Sequence, residues 1–388
     1  MAPKAKQVTS DSFDSTTNDN EVMSRKDGYY YLTHDAREKL PQYQYRGADY
    51  SLLYRFILSP LAGFCVDKLV PKGVAPNSIT LFGLFLMITA YLIYWYFVPS
   101  LDIEDNEYPP RWIFLWNGMA MLLYQTLDNM DGKQARRTKS SSPLGLLFDH
   151  GCDAINSIFG SVNWIIGMAL VPRDNLLECW VLIFGPYTLF YIATWEQYHT
   201  GELILPIING PNEGLLGGVL LSFTSWMYGP AYWQGFEWFE KLQSVLPFVP
   251  STWMIRNCDF VILASSIGFI QEMSIKTVVV TRKHPGALTS LLPMFSLAGC
   301  FLLLGYFDSS IWLSLPRTGV HLSMLLFVEM CTELMLAHIT SQPFSTIGRW
   351  HGYPLLALTA WVGCTGETSD WVAYALIAYT NGMAAYLL

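Results

Sequence analysis

Residues 128–153 read DNMDGKQARRTKSSSPLGLLFDHGCD, with four carboxylates, three glycines and a basic cluster in 26 residues at the junction of two long apolar segments. Acidic side chains at membrane depth are costly and mark functional sites. Residues three or four apart share one face of an α-helix. Asp128 and Asp131 are therefore neighbours at the end of one helix, and Asp149 and Asp153 at the start of the next. A short turn with Pro143 lets the two run antiparallel, so that all four carboxylates converge. Like charges that close repel unless a cation sits among them. Hard divalent ions with oxygen ligands, Mg2+ or Mn2+, suit that donor set, and two are expected.

The small residues fall on the same face. Gly132 lies four residues after Asp128 and Gly145 four before Asp149, and Ala135 follows one turn further on. Without bulky side chains there, a large substrate can approach the metals. Arg136 and Lys133 are placed to bind phosphate oxygens, the arginine in bidentate fashion. Two metals beside an arginine make a phosphoryl-transfer site, where the protein positions groups and neutralises charge. A single acidic pair at a span end would read as merely solvated. Two pairs interleaved with glycines and followed by arginine read as a site.

The rest of the chain is membrane scaffold. Of 388 residues, 52% are apolar and 14% charged, and the mean hydropathy is +0.28. Apolar runs near the length that crosses a hydrocarbon core recur along it. The expected fold is an all-α, polytopic integral membrane protein with about ten spans, near 77–97, 112–127, 144–171, 179–195, 214–228, 253–274, 287–306, 320–339, 353–364 and 371–388. Residues 1–27, rich in Ser, Thr, Asp, Asn and Lys, read as disordered. The aromatic and charged stretch 29–45 reads as lying at the membrane surface, and 49–70 as an interfacial amphipathic helix pair. Three regions follow: a tail over 1–45, a catalytic core over 46–230, and C-terminal helices over 231–388 that complete a lipid chamber.

Loop charge sets the orientation. Lys133, Arg136, Arg137 and Lys139 follow the second span, and Lys276, Arg282 and Lys283 the sixth, whereas the loop Asp102–Glu107 is acidic. The positive-inside rule puts the Asp motif and the N-terminus in the cytosol. The seven cysteines stand singly without a CxxC pair, as buried small hydrophobes do. No nucleic-acid partner is expected.

The pattern Asp128-x2-Asp131-Gly132-x2-Ala135-Arg136-x8-Gly145-x3-Asp149-x3-Asp153 resembles, without a gap, the signature of the CDP-alcohol phosphotransferase family. The stretches DGKQARRTKSSSPLG, FDHGCD, APNSIT (75–80), PPRW (109–112), TWEQYHT (194–200) and LPIINGPNEG (205–214) are similar to its eukaryotic choline/ethanolamine phosphotransferase branch. The resemblance covers about residues 40–230 well and the remainder only in hydropathy. It implies transfer of phosphocholine or phosphoethanolamine from CDP-choline or CDP-ethanolamine to diacylglycerol, with release of CMP. It also implies a place in an internal membrane, endoplasmic reticulum or Golgi, and a homodimer.

Carried over residue by residue, Asp128, Asp131, Asp149 and Asp153 would ligate the metals, and Arg136 would hold the donor diphosphate. Asn77 is either a donor contact or a helix N-cap. The general base is His150 or Asp153. A carboxylate that ligates a cation is a poor base, whereas imidazole suits removal of a hydroxyl proton near neutrality, so His150 is favoured. Glu213 either reaches the headgroup or His150, or compensates a helix dipole. Glu196 and His199, in a polar loop over 196–213, read as solvated. A secondary transporter also combines about ten spans with buried acids, but it shows pseudo-repeated halves, and here the charge lies in one local stretch. Another CDP-alcohol phosphotransferase, such as an inositol enzyme, is the nearer alternative.

Overall fold

A computed structural model of the chain describes residues 34–103, 108–246, 248, 250, 252–307, 315–344, 351–366 and 370–387. The tail expected to be disordered, and residues 104–107 of the acidic loop, lie outside them.

After a short helix α1 (His34–Lys39), the chain runs extended through β1 (Gly47–Asp49). The segment expected to be a pair of helices is a single one. A π-turn over Tyr54–Leu58 leads directly into α2 (Ser59–Lys68). Pro60 is the reason for the wide turn: proline has no N–H for the helical ladder, and a π-turn absorbs the loss. Leu58, Ala62 and Val66 are buried, while Phe56, Ile57, Leu61 and Phe64 point outward. These outward apolar side chains suit contact with lipid.

The next three helices, α3 (Pro76–Phe97), α4 (Trp112–Thr138) and α5 (Pro143–Gly167), pack against one another. α4 ends at left-handed Lys139 (φ 57°), where Ser140 N donates to Ala135 O at 2.9 Å. α5 begins at once with Pro143, whose missing N–H would be unpaired there anyway. Ser142 Oγ caps it by accepting from Gly145 N at 3.0 Å. The chain therefore reverses within the turn 139–142.

α6 (Leu176–Thr200) is the central post, with Phe184, Tyr187, Tyr191 and Trp195 fully buried. Its end corrects the expected polar loop: the helix runs on to Thr200 and stops at Gly201 (φ 79°), so Glu196 and His199 are helical. Glu196 is 4% exposed rather than solvated. β2 (Leu203–Leu205) then pairs in parallel with β1, with Gly47 opposite Leu203 and Asp49 opposite Leu205. This two-stranded bridge is the one departure from all-α structure among the described residues.

A π-turn over Gly210–Gly214 opens α7 (Leu215–Tyr228), and α8 (Glu237–Val245) is short. α9 (Asn257–Lys283), α10 (Leu292–Phe307), α11 (Pro316–Thr340), α12 (Tyr353–Thr365) and α13 (Asp370–Leu387) complete the fold. One continuous apolar core runs from Leu84 to Met383, joining helices on both sides of residue 230. Tyr187 stacks on Phe327 across it at 4.3 Å.

Helices stand at all ten expected span positions. Five stretches are long and apolar enough to cross a membrane: α3, α6, α9, α11 and Pro285–Phe307, which contains α10. α4 and α5 carry the polar motif, and α7 and α12, of 14 and 13 residues, are short of a full bilayer. Leu263, Ile267 and Ile270 form an outward stripe on α9, as a lipid-facing helix requires. The chain is an integral membrane protein. Five cysteines are buried, Cys364 is exposed, and all seven are free thiols.

Lys276 of α9 is 3% exposed. Its Nζ donates to Glu196 Oε2 at 2.5 Å and Ile204 O at 2.7 Å, and Glu272 Oε1 lies 3.9 Å away. One ammonium thus pins α6, α9 and β2 together. Removing one partner of a buried pair leaves the other charge uncompensated, at about 3–5 kcal/mol. Lys276→Ala is accordingly expected to lower the stability of the detergent-purified protein by about that amount, read as a fall in thermal unfolding temperature.

Candidate active site

The reversal at 139–142 brings the carboxylates of α4 and α5 together. Asp128, Asp131 and Asp149 each place an oxygen within 4.8 Å of the others, and Asp149, Asp153 and a ring nitrogen of His150 do the same. Across the helix pair, Asp128 faces Asp153 and Asp131 faces Asp149. Asp131 is buried and the other three are half-buried. No lysine or arginine among the described residues forms an ion pair with any of them. Asp149 Oδ1 is buried without a hydrogen-bond partner among the described residues. Convergent hard oxygens, no ion-paired lysine or arginine among the described residues and an orphaned carboxylate oxygen fit a divalent cation.

Two further residues hold the acids in place. Thr80 Oγ1 of α3 donates to Asp131 Oδ2, and Tyr124 OH of α4 donates to Asp153 Oδ1. Both donors are buried, at 4% exposure. Sequence reading missed them, although Tyr124 sits four residues before Asp128 on the carboxylate face and so could have been found from helical spacing. Thr80 carried no such signal, because only the packing of α3 on α4 aims it.

The small residues lie where close approach is needed. A Cβ on Gly132 would stand 3.5 Å from Arg136 Nη1, and one on Gly145 would stand 3.6 Å from Asn77 Oδ1. Arg136 is thus exposed over Gly132 at the rim, and Asn77 leans over Gly145. The N-cap of α3 is Ala75, so capping is not what Asn77 does. His150 packs edge-on against Phe190 of α6, with ring centroids 6.4 Å apart.

Other expected contacts lead elsewhere. Lys133 Nζ donates to Ser59 Oγ of α2 at 2.8 Å, away from the carboxylate face. Glu213 Oε1 accepts from Ser51 Oγ at 2.6 Å and Leu53 N at 3.4 Å, and its Oε2 accepts from Asn209 N at 3.0 Å. It clamps the segment before α2 rather than bonding to His150. His199 lies beside His284, with ring centroids 5.5 Å apart. Tyr43 OH meets His338 Nε2 at 3.1 Å, tying the N-terminal segment to α11. Burial, with Tyr45 adding to it, pushes the Tyr43 phenol up to about 12, so it stays neutral.

Residues 73–203 match the CDP-alcohol phosphatidyltransferase family. Choline/ethanolaminephosphotransferase 1 of Arabidopsis thaliana is 36% identical over 314 residues, which cover 78% of this chain and 77% of that protein. The chain belongs to the CDP-alcohol phosphatidyltransferase family. Choline/ethanolaminephosphotransferase 2 of the same plant is 36% identical over 318 residues, with 78% and 77% covered. Cholinephosphotransferase 1 of Saccharomyces cerevisiae is 27% identical over 343 residues, with 82% and 81% covered. Family membership makes this chain a membrane-embedded transferase. The matched region holds the four aspartates, Thr80, Tyr124, Arg136 and His150. Tyr45, Asp49, Glu213 and His338 lie outside it.

Groups that orient metal ligands typically change metal affinity 10- to 100-fold when removed. Thr80→Val and Tyr124→Phe are each expected to weaken Mn2+ binding by roughly that factor. A Mn2+ titration of the purified protein, followed by electron paramagnetic resonance of the free ion, reads this without any turnover.

Proposed function

We propose that this protein transfers phosphocholine or phosphoethanolamine from CDP-choline or CDP-ethanolamine to diacylglycerol, releasing CMP. The observation that carries this reading is the convergence of Asp128, Asp131, Asp149 and Asp153 with His150 in one cleft. The relatives' names support choline or ethanolamine as the headgroup and the family description a CDP-alcohol donor, while diacylglycerol is the acceptor that the sequence resemblance implies. The four aspartates would hold Mg2+ or Mn2+, two ions by their number. When bound, such ions neutralise charge on the diphosphate and on the departing phosphate.

The chain's own residues do the rest. Arg136, exposed at the rim above Gly132, binds the diphosphate oxygens. Asn77, leaning over Gly145, is a second donor contact. Gly132 and Gly145 leave space for the nucleotide to lie against the helices.

His150 takes the proton of the acceptor hydroxyl. That oxygen bonds to the phosphorus bearing the alcohol, the bond from this phosphorus to the bridging oxygen breaks, and CMP leaves with the bridging oxygen. Asp153 is the weaker choice of base, since one of its oxygens already accepts from Tyr124 and its carboxylate faces Asp128. The helices beyond residue 230 enclose the acyl chains of diacylglycerol. Lys133, Arg136, Arg137 and Lys139, after the second span, support a cytosolic-facing cleft by the positive-inside rule, and the sequence resemblance supports an endoplasmic reticulum or Golgi membrane.

The test is CMP release by purified protein with diacylglycerol and Mg2+, each donor supplied separately. Turnover is expected with at least one donor and is abolished by EDTA and by Asp131→Ala. His150→Ala is expected to lower kcat about 10²- to 10⁴-fold, the range of general-base contributions, with Mn2+ binding retained. Wild-type turnover in His150→Ala would transfer the base role to Asp153. No turnover with either donor in folded protein would refute the donor assignment.

A further inference from the structure

The extended segment ahead of α2 is fastened to the helix that carries the first two aspartates. Asp49 Oδ2 accepts from Asn212 Nδ2 at 2.8 Å, and its Oδ1 accepts from Ser51 N at 2.8 Å and Asn209 Nδ2 at 3.5 Å. The carbonyl of Asn212 accepts from Gln125 Nε2 at 2.8 Å, and Gln125 stands one turn before Asp128 on α4. β1·β2 pairing and the Glu213 clamp fix the same segment.

Alternate residues of an extended chain share a face, so Tyr45, Gly47 and Asp49 line one edge. The Tyr45 phenol lies back across Gly47, and any side chain at that glycine would collide with it. Tyr45 is 52% exposed. Its hydroxyl is tucked inward, where burial and then the charges of Asp149 and Asp49 raise its pKa and Arg136 lowers it. This edge is held beside the carboxylate site through Asp49, whose partner Asn212 bonds to Gln125 one turn before Asp128 on α4. In a CDP-linked amino alcohol the amine is only an ethylene group from the phosphate ester oxygen, so it falls in this neighbourhood.

The charge there is unbalanced. Asp49 and Glu213 accept hydrogen bonds from neutral groups only, and no lysine, arginine or histidine among the described residues pairs with either. Gln125 Oε1, on a side chain 1% exposed, has no hydrogen-bond partner among the described residues. An aromatic face beside an uncompensated carboxylate is the setting that attracts an organic ammonium.

We propose that Tyr45 and Asp49 form the subsite for the cationic amine of the donor headgroup, Tyr45 by its ring face and Asp49 by its charge. Glu213 positions that subsite by holding Ser51 and Leu53. The proposal deepens the donor reading above and rests on it.

The test compares CMP release from CDP-choline with release from its uncharged tert-butyl isostere, in full-length protein with diacylglycerol and Mg2+. Wild type is expected to favour the cationic donor about tenfold in kcat/KM, the scale of a cation–aromatic contact with a supporting charge. Asp49→Asn, which keeps an oxygen to accept from Asn212, is expected to bring that ratio near unity through KM of the cationic donor alone. Tyr45→Ala is expected to do the same, and Tyr45→Phe to restore the preference. Equal losses on both donors, or an unchanged ratio in both Asp49→Asn and Tyr45→Ala, would overturn the proposal. Thermal unfolding of each variant identifies one that fails to fold, and the other then decides. Absence of wild-type turnover with CDP-choline and with CDP-ethanolamine would instead remove the donor reading itself.

Discussion

Mutual repulsion among four carboxylates is the constraint on which this structure depends. Asp128 and Asp131 lie near the end of one helix and Asp149 and Asp153 near the start of the next, and no lysine or arginine among the described residues forms an ion pair with them. A protein gains nothing in stability from such an arrangement without a cation to hold. The surroundings serve to keep it assembled. Thr80 and Tyr124 fix individual oxygens from α3 and α4, Ser142 caps the start of α5, and α6 walls the cleft with Phe190 against His150.

The second organising interaction lies at a distance from the first. Lys276, buried in α9, reaches Glu196 on α6 and the backbone of β2. β2 in turn holds β1, and the Asp49 and Glu213 contacts carry the connection to the turn that meets Gln125 of α4. The N-terminal segment thus reaches α4 through a turn more than 100 residues further along, outside the region that matches the family. The relay joins the compact aspartate motif to elements far from it in sequence.

Much of this was legible in the sequence. Helical spacing alone put Asp128 with Asp131 and Asp149 with Asp153, and Pro143 after a polar turn marked the reversal. Apolar run lengths placed a helix at every expected position. The misreadings share a cause. Glu196 looks like a solvated loop acid until Lys276, 80 residues away in sequence, is seen to pair with it. Lys133 has the right charge for phosphate, but its position on α4 aims it at Ser59. The β1·β2 bridge is three residues long on each side, too short for any alternation to announce it. Long-range pairing decided each of these, and local pattern does not contain it.

The most direct measurement is the thermal unfolding temperature of the purified protein in EDTA and in millimolar Mg2+, for wild type and for Asp149→Asn. Ligands that bind only the folded state raise stability, so wild type should unfold at a higher temperature with Mg2+ than without it. Asp149→Asn, with one charge fewer in the cluster, should be at least as stable as wild type in EDTA and should gain less from Mg2+. An unfolding temperature in wild type that does not respond to Mg2+ or Mn2+ would contradict the reading of these four aspartates as a metal site.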